Sequence, residues 1–200
     1  TDPVQRAPGR GKTKEDPMAK VAILLADGFE TIEALAPADV LRRGGEDVSL
    51  VTINDTPHVT TAHKIGIDTD ATLATYDFSD CDLVVLPGGM PGTTNLRANE
   101  RVCELARESM ASRELGAICA APSILAELGL LEGRVATCYP GCEGAFPEDV
   151  RPEELGVYTD GNLVTASGPA FAVDFGLELL ALLEGDEASE RVADGMLVID

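Results

Sequence analysis

Cys119 is the residue of this chain best placed for covalent chemistry. It stands in Ala117-Ile118-Cys119-Ala120-Ala121-Pro122, between a short apolar run and a helical stretch. That strand–nucleophile–helix layout is a nucleophile elbow, a turn tight enough to require small residues two positions either side. Ala117 and Ala121 meet the requirement. Pro122 suits the first turn of a helix, where a missing N–H costs least. A thiol at a helix N-terminus faces unpaired N–H groups and the positive end of the dipole. Such surroundings lower a cysteine pKa from about 8.5 to roughly 3.5–7.5. The competing reading is a small buried hydrophobe, as most free cysteines are. Cys81, Cys103, Cys138 and Cys142 lie in plainer contexts. Cys138 and Cys142 lack the second ligand pair of a zinc site, so no metal is expected there.

Carboxylates are the next candidates. Glu30 and Glu33 lie one helical turn apart in Asp27-Gly28-Phe29-Glu30-Thr31-Ile32-Glu33. A first-turn acid is commonly a solvated complement to the helix dipole. Buried beside a thiolate, either one would have its pKa raised and could shuttle a proton. Spacing alone does not separate Glu30 from Glu33. Gly88-Gly89, after Pro87, lets backbone N–H groups approach a ligand closely. Together with the Ala120 N–H they could form an oxyanion hole; the plainer reading is a turn. His58 and His63 are the only histidines and both are distant in sequence from Cys119, which disfavours a Cys–His pair.

These segments must be brought together by the fold. Val21–Leu25 and Leu83–Leu86 are continuous apolar runs, the mark of strands buried on both faces. Val48–Ile53, Leu115–Ile118 and Leu163–Thr165 read as further strands, and residues 55–75 as short ones. Helices are expected up to Gly44-Gly45 (with Pro37 forcing a kink or a late start), after an Asn99 cap, over Ser123–Leu130 and over Ala172–Leu183. The alternation implies an α/β domain with a doubly wound, mostly parallel sheet sandwiched between helices. Ligands of such sheets bind beyond the carboxyl ends of the strands. The Asp27–Glu33, Pro87–Gly92 and Cys119–Pro122 segments all follow strands there.

Two hundred residues, 44% of them hydrophobic and 25% charged, make one globular domain of residues 18–200. Residues 1–17 hold three prolines and almost nothing apolar; they read as a disordered tail or an added extension, with Met18 as a natural start. They also lack the apolar centre of a signal peptide. Gly11-Lys12-Thr13 fails as a phosphate loop, because Arg6 occupies the position of its first glycine. The formal charge of −20 argues against nucleic acid and anionic membrane partners. No apolar run approaches the roughly 20 residues of a membrane span. Five irregularly spaced cysteines point to reduced thiols and a cytoplasmic setting.

Taken in order, the motifs make the chain similar to the ThiJ/PfpI (DJ-one) superfamily, in the branch of the Parkinson-disease-associated protein deglycase. Ala26–Glu33 resembles its acidic motif, Leu86-Pro87-Gly88-Gly89 its glycine turn, and Ala117–Pro122 its nucleophile elbow. Thr165–Pro169 resembles the loop bordering the pocket. The resemblance implies a flavodoxin-like fold and a homodimer whose surface involves the first helix, Arg42, Arg43 and His63. It selects Glu33 over Glu30 as the partner of a Cys119 nucleophile, with Gly88, Gly89 and Ala120 as backbone donors and Tyr139 and Pro169 in the pocket. It implies a cofactor-free enzyme for small reactive aldehydes or their protein adducts, acting without glutathione. The alternative is a redox sensor or chaperone working through Cys119 oxidation; an amidase or esterase is a weaker third. Three positions depart from the pattern. Ala120 replaces the histidine of the protease-like branch, Tyr139-Pro140 replaces a histidine–proline pair, and Ala170-Phe171 replaces glycine–threonine and narrows the expected pocket.

Overall fold

The computed structural model describes residues 18–148, 150 and 154–198. The expectation for residues 1–17 lies outside these. The domain opens with β1 (Lys20–Leu25), α1 (Thr31–Gly44) and β2 (Asp47–Thr52). A short hairpin of β3 (His58–Thr60) and β4 (Gly66–Asp68) follows, then β5 (Ala71–Thr72) and β6 (Leu83–Leu86). Next come α2 (Gly92–Ala98), α3 (Glu100–Ser112), β7 (Glu114–Ile118) and α4 (Pro122–Glu127). The chain ends with β8 (Val157–Asp160), β9 (Leu163–Ala166), α5 (Ala172–Glu184) and α6 (Asp186–Met196).

The main sheet has the order β5-β2-β1-β6-β7-β9-β8. Every pairing in it is parallel except β8 with β9, which form an antiparallel edge. The chain therefore winds outward both ways from the β1–β6 boundary, the switch point at which a flavodoxin-like sheet opens its ligand crevice. Alternation along β1 divides the core in two. Val21, Ile23 and Leu25 pack with Leu41 of α1 and Phe175 and Leu179 of α5. Ala22 and Leu24 face Leu105 of α3 and Ile124 of α4. Buried on both faces, these strands need continuous apolar runs, as their sequences have.

Pro37 does not delay α1, which begins six residues earlier at Thr31 and continues past it. Pro37 instead sits where α5 crosses: a Cβ at Gly176 would lie 2.9 Å from the Pro37 Cα. Asn99 caps α3 as expected, its side chain accepting the Val102 N–H at 3.3 Å. The α4 helix stops at Glu127, three residues short of expectation, and a turn with Gly129 at φ +71° follows.

Candidate active site

The elbow has the backbone its sequence requires. Cys119 adopts φ +63°, in the left-handed region that a residue with a side chain rarely enters. Three backbone bonds hold it there. Its N–H donates to Ala166 C=O at 2.8 Å, continuing the β7–β9 ladder by one residue. Its C=O accepts the Tyr139 N–H at 2.8 Å, and the Ala121 N–H closes the turn onto Ile118 C=O at 3.1 Å. Ala117 and Ala121 are fully buried, leaving no room for larger side chains.

Glu33 and Glu30 part company once the chain folds. Glu33 lies in the first turn of α1 with no solvent exposure. Its Oε2 accepts the Gly88 N–H at 2.9 Å, while its buried Oε1 has no hydrogen-bond partner. Glu30 is turned outward, and its Oε1 lies 3.5 Å from His63 Nδ1. The Glu30 N–H in turn donates to Gly88 C=O at 2.9 Å, so one residue of the glycine turn clasps the helix start from both sides. A Cβ on Gly88 would sit 2.6 Å from Glu33 Oε2, 2.7 Å from Cys119 Cβ and 3.0 Å from Ala120 N. Glycine is needed here because three functional segments converge on its Cα. Gly89, at φ +89°, could not carry a Cβ either, since one would lie 2.3 Å from Glu30 N.

The Gly88 N–H is thus committed to the carboxyl and is not an oxyanion donor, correcting one of the three expected roles. The N–H groups of Ala120 and Gly89 face the sulfur. They lower the thiol's pKa but are outweighed: burial first, then the charge of Glu33, push the Cys119 thiol up. Burial and the Glu33 charge thus oppose the lowering expected from the turn alone. A six-residue α4 supplies too small a dipole to offset desolvation beside an anion. Burial likewise raises Glu33 from the usual carboxylate range to about 7, with contacts to Cys119 and Gly88 opposing it. The two groups titrate as a pair, and charge on the sulfur becomes affordable once Glu33 holds the proton.

Tyr139 adjoins the elbow through its bond to Cys119 C=O, and Pro169 follows Gly168. The Tyr139 ring is half-exposed and lies against Gly168, where a Cβ would meet it at 3.1 Å. Pro169 begins a single 3-10 turn through Phe171. Neither lines the cleft of about 420 Å³ that opens beside the nucleophile. Ala120, Thr93, Thr94, Arg97, Ser123 and Glu127 are among the residues that line it. Sequence reasoning missed these residues, although Ser123 directly follows the elbow proline and Thr93 closely follows the glycine turn.

A buried acid and the cysteine of a tight turn thus both lie against Gly88. A family model described as DJ-1/PfpI matches residues 19–182. The chain belongs to the DJ-1/PfpI family. It is 36% identical over 184 residues to Protein dj-1beta of Drosophila melanogaster, covering 90% of this chain and 98% of that protein. It is 30% identical over 167 residues to a protein named a deglycase from Pyrococcus horikoshii, covering 82% and 99% of the two chains. Among solved structures, Toxoplasma gondii DJ-1, described as oxidized, superposes with a TM-score of 0.85 at 31% identity. That match covers 90% of this chain and 98% of the other. A cysteine-to-alanine mutant of a DJ-1 superfamily protein from Salmonella typhimurium gives a TM-score of 0.84 at 36% identity, covering 92% and 100%.

Proposed function

We propose that this DJ-1/PfpI protein is a cysteine-dependent enzyme acting on small 2-oxoaldehydes such as methylglyoxal, or on their adducts. The observation that carries the reading is the pairing of Cys119, at φ +63°, with the fully buried Glu33 whose pKa stands at about 7. Ionised Glu33 takes the thiol proton as sulfur adds to the aldehyde carbon and returns it to the resulting alkoxide, giving a hemithioacetal and leaving Glu33 ionised again. The Ala120 and Gly89 N–H groups stabilise charge on the sulfur. Glu33 then moves a proton from the former aldehyde carbon to its neighbour by way of an enediol, while the hydroxyl proton passes from the first oxygen to the second. This internal redox step oxidises one carbon and reduces the other, leaving a lactoyl thioester. Water cleaves the thioester, releasing lactate and restoring the thiol. The deglycase name of the Pyrococcus relative supports carbonyl chemistry in the family.

Purified protein supplied with methylglyoxal should form lactate, and Cys119→Ser should lower the rate by at least about a hundredfold. Unchanged turnover in that variant defeats the reading. Lactate must be measured rather than aldehyde loss, because any thiol binds methylglyoxal reversibly.

The partnerless Glu33 Oε1 supports a second reading, a redox sensor. Two equivalents of hydroperoxide would each transfer one oxygen to Cys119 and leave as water or alcohol, giving a sulfinate. Neutral Glu33 would donate a hydrogen bond to it. Intact-mass analysis after mild peroxide should then show two oxygens added selectively at Cys119; scattered oxidation over several thiols counts against the sensor.

A further inference from the structure

The cleft beside the elbow contains more polar chemistry than a methyl-bearing aldehyde could use. It starts one residue from the nucleophile, at Ala120, whose N–H faces the sulfur. Thr93 lines it, is only 3% exposed, and has a buried hydroxyl with no hydrogen-bond partner. A buried hydroxyl left unpaired costs about 1–3 kcal/mol, so such a group either bears strain or awaits a ligand. Ser123 Oγ donates to Ala120 C=O at 2.7 Å and keeps its capacity to accept. Thr94 Oγ1 makes one weak contact, 3.9 Å from Met90 Sδ. Further out, Arg97 and Glu127 form an ion pair across the cleft between α2 and α4.

We infer that this cleft is a subsite for a neutral, polyhydroxylated tail, and that the preferred substrates are sugar-derived 2-oxoaldehydes rather than methylglyoxal itself. The inference rests on the aldehyde reading above and specifies its substrate class. Its ground is the match between hydrogen-bonding inventories. Each hydroxyl of a sugar tail both donates and accepts. Among the polar side chains of the lining Arg97 only donates, Glu127 only accepts, and Thr94 and Ser123 can do both; Met90, Cys142 and small residues make up much of the rest. A carboxylate tail would accept only, and would meet Glu127 beside Arg97 with that cation's charge already compensated. An apolar tail would use none of the hydrogen-bonding capacity of Thr94 and Ser123. A volume of about 420 Å³ lies within the range of small-molecule pockets and far exceeds the need of a methyl group.

The test uses Cys119→Ala protein, in which no adduct forms on the nucleophile, so it does not depend on turnover. Backbone amide shifts are followed while 3-deoxyglucosone, methylglyoxal and succinic semialdehyde are titrated separately. The hydroxylated aldehyde should shift the amides of Thr93, Thr94 and Ser123 saturably; methylglyoxal should leave them in place. Adding Thr94→Val or Glu127→Ala should weaken that binding about threefold to tenfold, as the loss of one hydrogen bond predicts. Absence of saturable shifts, tighter binding of succinic semialdehyde, or undiminished affinity in both variants overturns the inference. Should the subsite bind as expected while Cys119→Ser retains methylglyoxal turnover, the subsite stands and the catalytic reading falls.

Discussion

Glu33 concentrates the electrostatic tension of the site. Its carboxyl is held in the fold with a pKa of about 7, above its unfolded value. The native state therefore keeps a proton that the unfolded chain has already released between about pH 4.5 and 7. Stability contributed by this proton is present at acid pH and is lost as pH rises through that window. From the shift, the loss between pH 5 and pH 8 is about 2–3 kcal/mol. Glu33→Gln keeps an acceptor for the Gly88 N–H but cannot ionise. Its unfolding free energy by denaturant titration should gain on that of the native sequence by this amount between those pH values; parallel profiles would show that Glu33 is not strained. The same variant removes the anion that holds the thiol up. The pH midpoint for alkylation of the Cys119 peptide should move downward, and an upward movement would contradict the coupling described here.

At the scale of elements, α1 is the part that aims the acid, and its position depends on how closely α5 approaches it. Gly176 packs on Pro37 and Val40, where a Cβ would lie 2.9 Å from backbone and 3.0 Å from a branched side chain. Gly176→Ala should cost about 1–3 kcal/mol of stability through overpacking. Displacing α1 should also loosen the Glu33–Gly88 bond and lower lactate formation, whereas a distant destabilising change such as Asn99→Ala should leave turnover per folded molecule unchanged. Equal activity in both would sever the α1–α5 contact from the site. How far these elements could be read from sequence follows from how each is stabilised. The β1 and β6 runs were legible because burial on both faces demands unbroken apolar residues. The Asn99 cap was legible because it is local. By contrast α2 buries few side chains, Leu96 the largest, and α6 exposes Glu187 and Asp194 around buried Ala188 and Val192. Neither shows an apolar stripe strong enough to read, and β8 is partly exposed at every position. Glu33 could not be told from Glu30 by spacing, since its burial is decided by Gly88, fifty-five residues on. Cys119 illustrates the same limit: its turn is local, but the burial and the carboxyl that push its thiol up are not.

Across the whole molecule, the doubly wound sheet gathers three unrelated segments at one edge, and the chain that carries them is strongly acidic overall. The chain has 35 acidic against 15 basic residues. Near the site, Arg97 is paired with Glu127, and His63 lies beside Glu30, so each has an acidic side chain next to it. Such a field repels anions approaching Cys119 and is indifferent to neutral molecules. That favours uncharged aldehydes over anionic thiol reagents, independently of any fit in the cleft. Screening shrinks the reach of the field from about 10 Å at 0.1 M salt to about 3 Å at 1 M. Iodoacetate and iodoacetamide differ in charge but attack the same thiolate, so any change of thiol ionisation with salt cancels in the ratio of their rates. At fixed pH, the iodoacetate-to-iodoacetamide rate ratio at Cys119, read by peptide mass analysis, should rise severalfold between those salt concentrations. A flat ratio would mean that the local cations neutralise the entrance and that the overall charge plays no part in choosing what reaches the sulfur.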